Sequence, residues 1–270
     1  LDITTFNCSN VGENTVILTV TDVNGNVSTG PATITVIDSV NPIVVTQDLT
    51  VQLDASGNGS ITATQVDNGS NDNCAIDTMV LDITTFDCSN VGENTVILTV
   101  TDVNGNVSTG PATITVIDSV DPIVITQAVT VQLDASGNGS ITATQVDNGS
   151  NDACGIATMV LDITTFDCST VGENTVTLTV TDNNGNVSTE TAIVTVEDNV
   201  APIALTQDIT VQLDASGNVS ITASDVNYGS NDACGIASLE ANNAFDCSNV
   251  GPNTVTLTVT DNNGNVSTET

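Results

Sequence analysis

Apolar and polar residues alternate along most of the chain, in short runs broken by Asp, Asn and Gly. In "NTVTLTVTD" Val176, Leu178 and Val180 fall on one side and threonines on the other, the period-two pattern of a half-buried strand. "VTVQL" sets Val129, Val131 and Leu133 against Thr130 and Gln132, and "TAIVTV" turns Ala192, Val194 and Val196 inward. "SITAT" and "IATMVLDI" predict two further strands. "DNNGN" is a hairpin turn signal. About seven short strands in about eighty residues predict an all-β fold of immunoglobulin-like sandwich modules. One phenylalanine anchors each core: Phe166 here, with Phe6, Phe86 and Phe245 in the other copies.

The pattern repeats. Residues 1–80 and 81–160 differ at eight positions, 161–240 follow with more drift, and 241–270 begin a fourth copy. A period this long indicates tandem domains rather than solenoid turns, which span roughly 20–50 residues. Pro42, Pro122 and Pro202 each follow one strand and precede another, so they mark module starts. The expected division is the C-terminal part of a module at 1–38, full modules at 39–118 and 119–197, and a module lacking its last strand at 198–270.

Charge then narrows the function. The chain has 33 acidic residues and no Lys, Arg or His. It cannot neutralise phosphates, which excludes nucleic acid as a partner, and anionic membrane surfaces repel it. No apolar run is long enough to insert into a membrane. Imidazole bases, Schiff-base lysines and arginine clamps are all absent, so an enzyme is not expected. Metal cations with oxygen ligands are the fitting counterions.

Six of the seven cysteines fall in close pairs, and Cys8 stands alone. Cys74 and Cys88 are 14 apart, as are Cys154 and Cys168, while Cys234 and Cys247 are 13 apart. Each pair lies inside one module, so three intramodule disulfides are expected, with the partner of Cys8 lying before residue 1; the alternative is free core thiols. No CxxC spacing and no histidine support a metal role for them. Disulfides imply an oxidising, extracellular or cell-surface setting.

The stretches "VTVQLDASGNGSITATQVDNGSNDACGI" and "FDCSTVGENTVTLTVTDNNGNVST" resemble the HYR-like and PKD-like immunoglobulin-fold repeats of giant type IX-secreted surface proteins of gliding bacteria. The resemblance covers the whole chain. It implies an exported adhesin or filament shaft that self-associates into a filament or bundle, with contact to a surface, prey or host cell made elsewhere in a longer chain. It also implies O-glycosylation at Asp-Ser/Thr-apolar sites, which makes Ser39, Thr78 and Ser119 candidates.

In a sandwich of this kind the incoming linker, the loop "DNGSND" and the last hairpin turn lie at one end. For module 119–197 that gathers Asp118 and Asp121, Asp147, Asn148, Asn151 and Asp152, and Asp182, Asn184 and Asn186. The equivalents elsewhere are Asp38, Asp67, Asp72, Asp102 and Asn104, and Glu197, Asp198, Asp232 and Asp261. Carboxylates at about 4–6 Å repel one another. A calcium ion with six to eight oxygen ligands would resolve this, in a manner similar to cadherin linkers. The alternative is ordinary solvated turns, since Asp, Asn and Gly are turn residues in any case. "DASGNG" (Asp134 to Gly139) is similar to the start of an EF-hand loop, but Gln145 stands at its twelfth position, so it is expected to be a turn.

The expected function is therefore structural: a shaft of an extracellular adhesin or filament, stiffened by disulfides and by calcium at module junctions. The alternative is a repeated glycan- or surface-binding module acting by avidity, although the chain has one Tyr and no Trp to anchor recognition.

Overall fold

A computed structural model describes residues 1–270. They fall into two compact units, Leu1–Val120 and Asp121–Thr270. The fold is all-β and built of tandem β-sandwich modules.

In the first unit, β1 (Gly12–Thr21) and β2 (Val27–Val36) form an antiparallel hairpin. The chain continues through β3 (Leu49–Gln52), β4 (Gly59–Ser60), a one-turn helix α1 (Ala63–Val66), β5 (Ile76–Leu81), β6 (Thr85–Phe86), β7 (Gly92–Asp102) and β8 (Val107–Ile117). The main sheet has the order β5–β7–β8–β3, antiparallel except for β3, which runs parallel to β8. The second layer is thinner: the ladder β4–β6 and the bridges Ile43↔Asn71 and Thr46↔Asp67.

The second unit repeats this plan. Its elements are β9 (Val129–Gln132), β10 (Asn138–Ser140), α2 (Ala143–Val146), β11 (Ile156–Leu161), β12 (Thr165–Asp167), β13 (Gly172–Asp182) and β14 (Val187–Glu197), with the sheet order β11–β13–β14–β9. There follow β15 (Asn218–Ser220), α3 (Ala223–Val226), β16 (Ile236–Ala241), β17 (Ala244–Asp246), β18 (Leu257–Asp261) and β19 (Val266–Glu269). Here the sheet is three-stranded, β16–β18–β19.

The inward positions read from the alternation form the core. Val176, Leu178, Val180 and Val194 are fully buried, and Phe166, Val131, Leu133 and Ala192 pack with them. "SITAT" departs from the expected strand. Strand β10 ends at Ser140 and the chain turns into α2. Thr142 and Gln145 form a capping box, in which the Thr142 N–H donates to Gln145 Oε1 at 2.8 Å. The turn drives Val146 completely into the core. A Thr-x-x-Gln cap thus outweighs the β-propensity of Ile and Thr over this short stretch.

Leu178→Ala deletes a fully buried side chain at the centre of β13. It is expected to destabilise its module by about 2–5 kcal/mol, read as an earlier unfolding transition in a urea titration followed by circular dichroism.

Candidate metal centre

Most carboxylates here are satisfied locally by N–H groups. Asp102 ends β7 and holds the hairpin turn: Oδ1 accepts the Asn104 and Asn106 N–H groups at 2.8 Å, and Oδ2 accepts Asn106 Nδ2 at 2.7 Å. Asp182 and Asp261 hold the matching turns in the second unit. Burial pushes the Asp102 and Asp182 carboxyls up, but the hydrogen bonds from the two asparagines and the glycine N–H of each turn outweigh it and leave both below the usual carboxylate range.

A second set of oxygens has no such donors. Asp38, in the linker after β2, accepts the Val40 N–H on Oδ1 at 3.1 Å, while its Oδ2 is buried without a partner. Asp72, in the loop before β5, accepts the Cys74 N–H on Oδ2 at 2.7 Å and leaves Oδ1 buried and unpaired. Asn104 Oδ1, on the Asp102 turn, is also buried without a partner. Carboxylate oxygens of Asp38, Asp72 and Asp102 lie within 4.8 Å of one another. Asn106 bridges the group, its Nδ2 reaching both Asp102 Oδ2 and, at 3.4 Å, the Asp38 carbonyl. Carboxylate oxygens outnumber the N–H donors that reach them here, and oxygens are the ligands a hard divalent cation takes.

The second unit builds a related group. Asp198 is only 6% exposed, and its Oδ2 has no hydrogen-bond partner. Asp198 and Asp232 carboxylate oxygens and the Cys234 sulfur lie within 4.8 Å of one another. Asp232 Oδ1 accepts the Cys234 N–H at 2.7 Å, and Asn265 Nδ2 ties the Asp198 carbonyl to the Asp261 turn at 3.0 Å.

Several expected ligands serve other purposes. Asp67 and Asp147 cap their own loops, accepting the N–H groups of Gly69 and Ser70, and of Gly149 and Ser150. Asp121 is exposed. Glu197 accepts Gln132 Nε2 at 2.7 Å and Asn199 Nδ2 at 3.3 Å. Asp118 and Asp152 do not belong with these: their local bonds, to the N–H groups of Val120 and Cys154, are those of Asp38 and Asp72. The Asn184 N–H donates to Asp182. Ser39, Thr78 and Ser119 are exposed, and the Ser119 hydroxyl receives Gln52 Nε2.

The expected cysteine pairing is wrong. Cys8 bonds Cys74 and Cys168 bonds Cys234, each across 66 residues, with Cα–Cα distances of 5.2 and 5.1 Å. Cys88 and Cys154 are also disulfide-bonded, and Cys247 is an exposed free thiol. The reason is geometric. Cys74 precedes Ile76, which pairs with Asp102 at the end of β7, while Cys88 precedes Gly92 at its start. Eleven residues of strand separate the two ends, roughly 35 Å, and a disulfide requires Cα atoms within about 7 Å. Each cystine lies inside one 80-residue sequence repeat, yet Cys8–Cys74 joins the 3-10 turn ahead of the β1–β2 hairpin to the loop ahead of β5 in the next sheet. The signal was present in the spacings: the gap of 66 recurs without drift, whereas the close spacing slips from 14 to 13.

No protein-family model matches the chain, and no curated protein sequence does. Among solved structures, the chain is similar to protocadherin gamma B7 extracellular cadherin domains 1–4 at 13% identity, over 97% of this chain and 83% of that one, with a TM-score of 0.34. It is similar to the protocadherin gamma B4 extracellular domain at 16% identity, over 98% of this chain and 56% of that one, with a TM-score of 0.34. The human desmocollin-1 ectodomain matches at 12% identity, over 96% and 64%, with a TM-score of 0.27. No residue correspondence follows from these likenesses.

Because Asp102 and Asp182 have depressed folded-state pKa values, their stabilisation is complete above the unfolded value of about 3.9 and is lost as pH falls through the folded one. In chelator the melting temperature is expected to hold between pH 7 and about 5 and to drop below about 4, with Asp182→Asn flattening the drop. Under denaturing, non-reducing conditions a thiol reagent is expected to modify Cys247 and no other cysteine.

Proposed function

We propose that this chain is a stretch of an extracellular adhesion-type stalk whose successive sandwiches are stiffened by calcium and by the cystines beside it. One observation carries the reading: carboxylate oxygens of Asp38, Asp72 and Asp102 lie within 4.8 Å of one another, and Asp38 and Asp72 each keep a buried oxygen without a partner, in a chain with no side-chain cation. Leaving buried polar atoms unpaired costs about 1–3 kcal/mol each, more when charged. Oxygen donors at this spacing suit Ca2+, whose ligands stand at about 2.3–2.6 Å. Cys8–Cys74 and Cys168–Cys234 support an oxidising compartment outside the cytosol. The near-identity of the repeats favours a spacer, in which the number of modules matters more than the chemistry of any one. The resemblance of the repeats to surface proteins of gliding bacteria supports an adhesin or filament shaft that self-associates.

Calcium is expected to raise the melting temperature, and EDTA to lower it. A single site adds about 2.7 kcal/mol when free calcium stands 100-fold above its dissociation constant. Asp72→Asn removes one converging charge and is expected to abolish that part of the shift belonging to its site, while leaving the β-sheet circular dichroism intact. Identical melting curves in calcium and in EDTA would sink the calcium reading.

A further inference from the structure

We propose that the cystine Cys168–Cys234 sets the affinity of the cation site beside it, so that ion occupancy and the oxidation state of the disulfide are coupled. The proposal rests on the calcium reading above. Asp198 is buried and its Oδ2 has no partner, and an oxygen of its carboxylate lies within 4.8 Å of an Asp232 carboxylate oxygen and of the Cys234 sulfur. A cystine sulfur is no ligand for a hard cation, so it serves as a wall rather than a donor.

Cys234 is gripped on three sides. Its sulfur is bonded to Cys168. Its N–H donates to Asp232 Oδ1 at 2.7 Å, which decides which way that carboxylate turns. Its carbonyl accepts Asn262 Nδ2 at 2.8 Å, from the turn that Asp261 opens. The upstream half of the cystine is packed as well. A Cβ on Gly137, at φ +76°, would stand 2.5 Å from the Cys168 sulfur and 3.3 Å from the Ala233 Cβ, so the Asp134 turn lies directly on the bridge. The Cys74 N–H orients Asp72 in the same way, at 2.7 Å, beside the Cys8–Cys74 bond.

Cutting the bridge therefore frees the segment that aims a ligand. A dithiol reductant does this by two exchanges: one thiolate attacks a cystine sulfur to give a mixed disulfide, and the second closes the reductant's own ring, leaving two cysteine thiols and a cyclic disulfide. Ordering that the cystine supplied in advance must then come from ion binding, which weakens it. Linkage makes the effect reciprocal, so a bound ion protects the bridge by the same factor.

The test is calorimetric titration of the full chain with calcium, comparing wild type with Cys168→Ser/Cys234→Ser. One site is expected to weaken by about tenfold, within the range usual for coupled sites, while the remaining binding and a Cys247→Ser control stay unchanged. Equal affinities in both proteins overturn the coupling but leave the calcium reading standing. No calcium binding by the oxidised wild type overturns the calcium reading itself. Should the double variant lose its sheet signal, the reduction equilibrium of the wild-type bond carries the test alone. At equilibrium with a dithiothreitol redox buffer, the wild-type Cys168–Cys234 bond is expected to be about tenfold harder to reduce in calcium than in EGTA, a difference that Asp232→Asn removes; a reduction equilibrium independent of calcium overturns the proposal.

Discussion

Thirty-three carboxylates must find partners in a chain without a single lysine, arginine or histidine. With ion pairing to side chains closed off, each one depends on N–H donors, on water or on an external cation. Turns supply most of the donors. Asp54, Asp134 and Asp214 each draw in the N–H groups two and four residues ahead, and so do Asp102, Asp182 and Asp261. These bonds give the corners of every sandwich their shape. They also decide where charge is left over, because Asp38, Asp72 and Asp198 each have an oxygen that no N–H reaches.

The fold was largely legible because strand alternation is a local property. Val176, Leu178 and Val180 announce their burial within one run of residues, and "DNNGN" announces the turn that follows. What was misread depended on competition or distance. Thr142 and Gln145 carry a helix cap inside a stretch whose side chains favour a strand. The convergence of linker, loop and hairpin turn was readable, and carboxylate oxygens of Asp38, Asp72 and Asp102 do lie within 4.8 Å of one another. Asp67 and Asp147 stand in the same loop, and Glu197 in the linker, but local donors claim them first.

The cystines show the opposite case. Proximity in sequence suggested the 14-residue spacing, but strand geometry carries Cys74 and Cys88 to opposite ends of β7. The sequence repeat and the sandwich are consequently out of phase: a repeat counted from residue 1 begins in one sheet and ends in the next. The covalent link follows the sequence repeat, and so it spans the boundary between sheets.

That phase offset changes how tension would travel along the backbone. Each of these bonds short-circuits 66 residues, so a pull entering at Cys8 leaves through Cys74, and the hairpin, linker and short helix between them bear none of it. Only the 14-residue step to Cys88 can be drawn out before the next cysteine. At about 3.5 Å per extended residue, that is roughly 50 Å of slack, against roughly 280 Å for an unbridged 80-residue repeat. A strand of such repeats would behave as a tether that yields a little and then holds, even after the sandwiches themselves have given way.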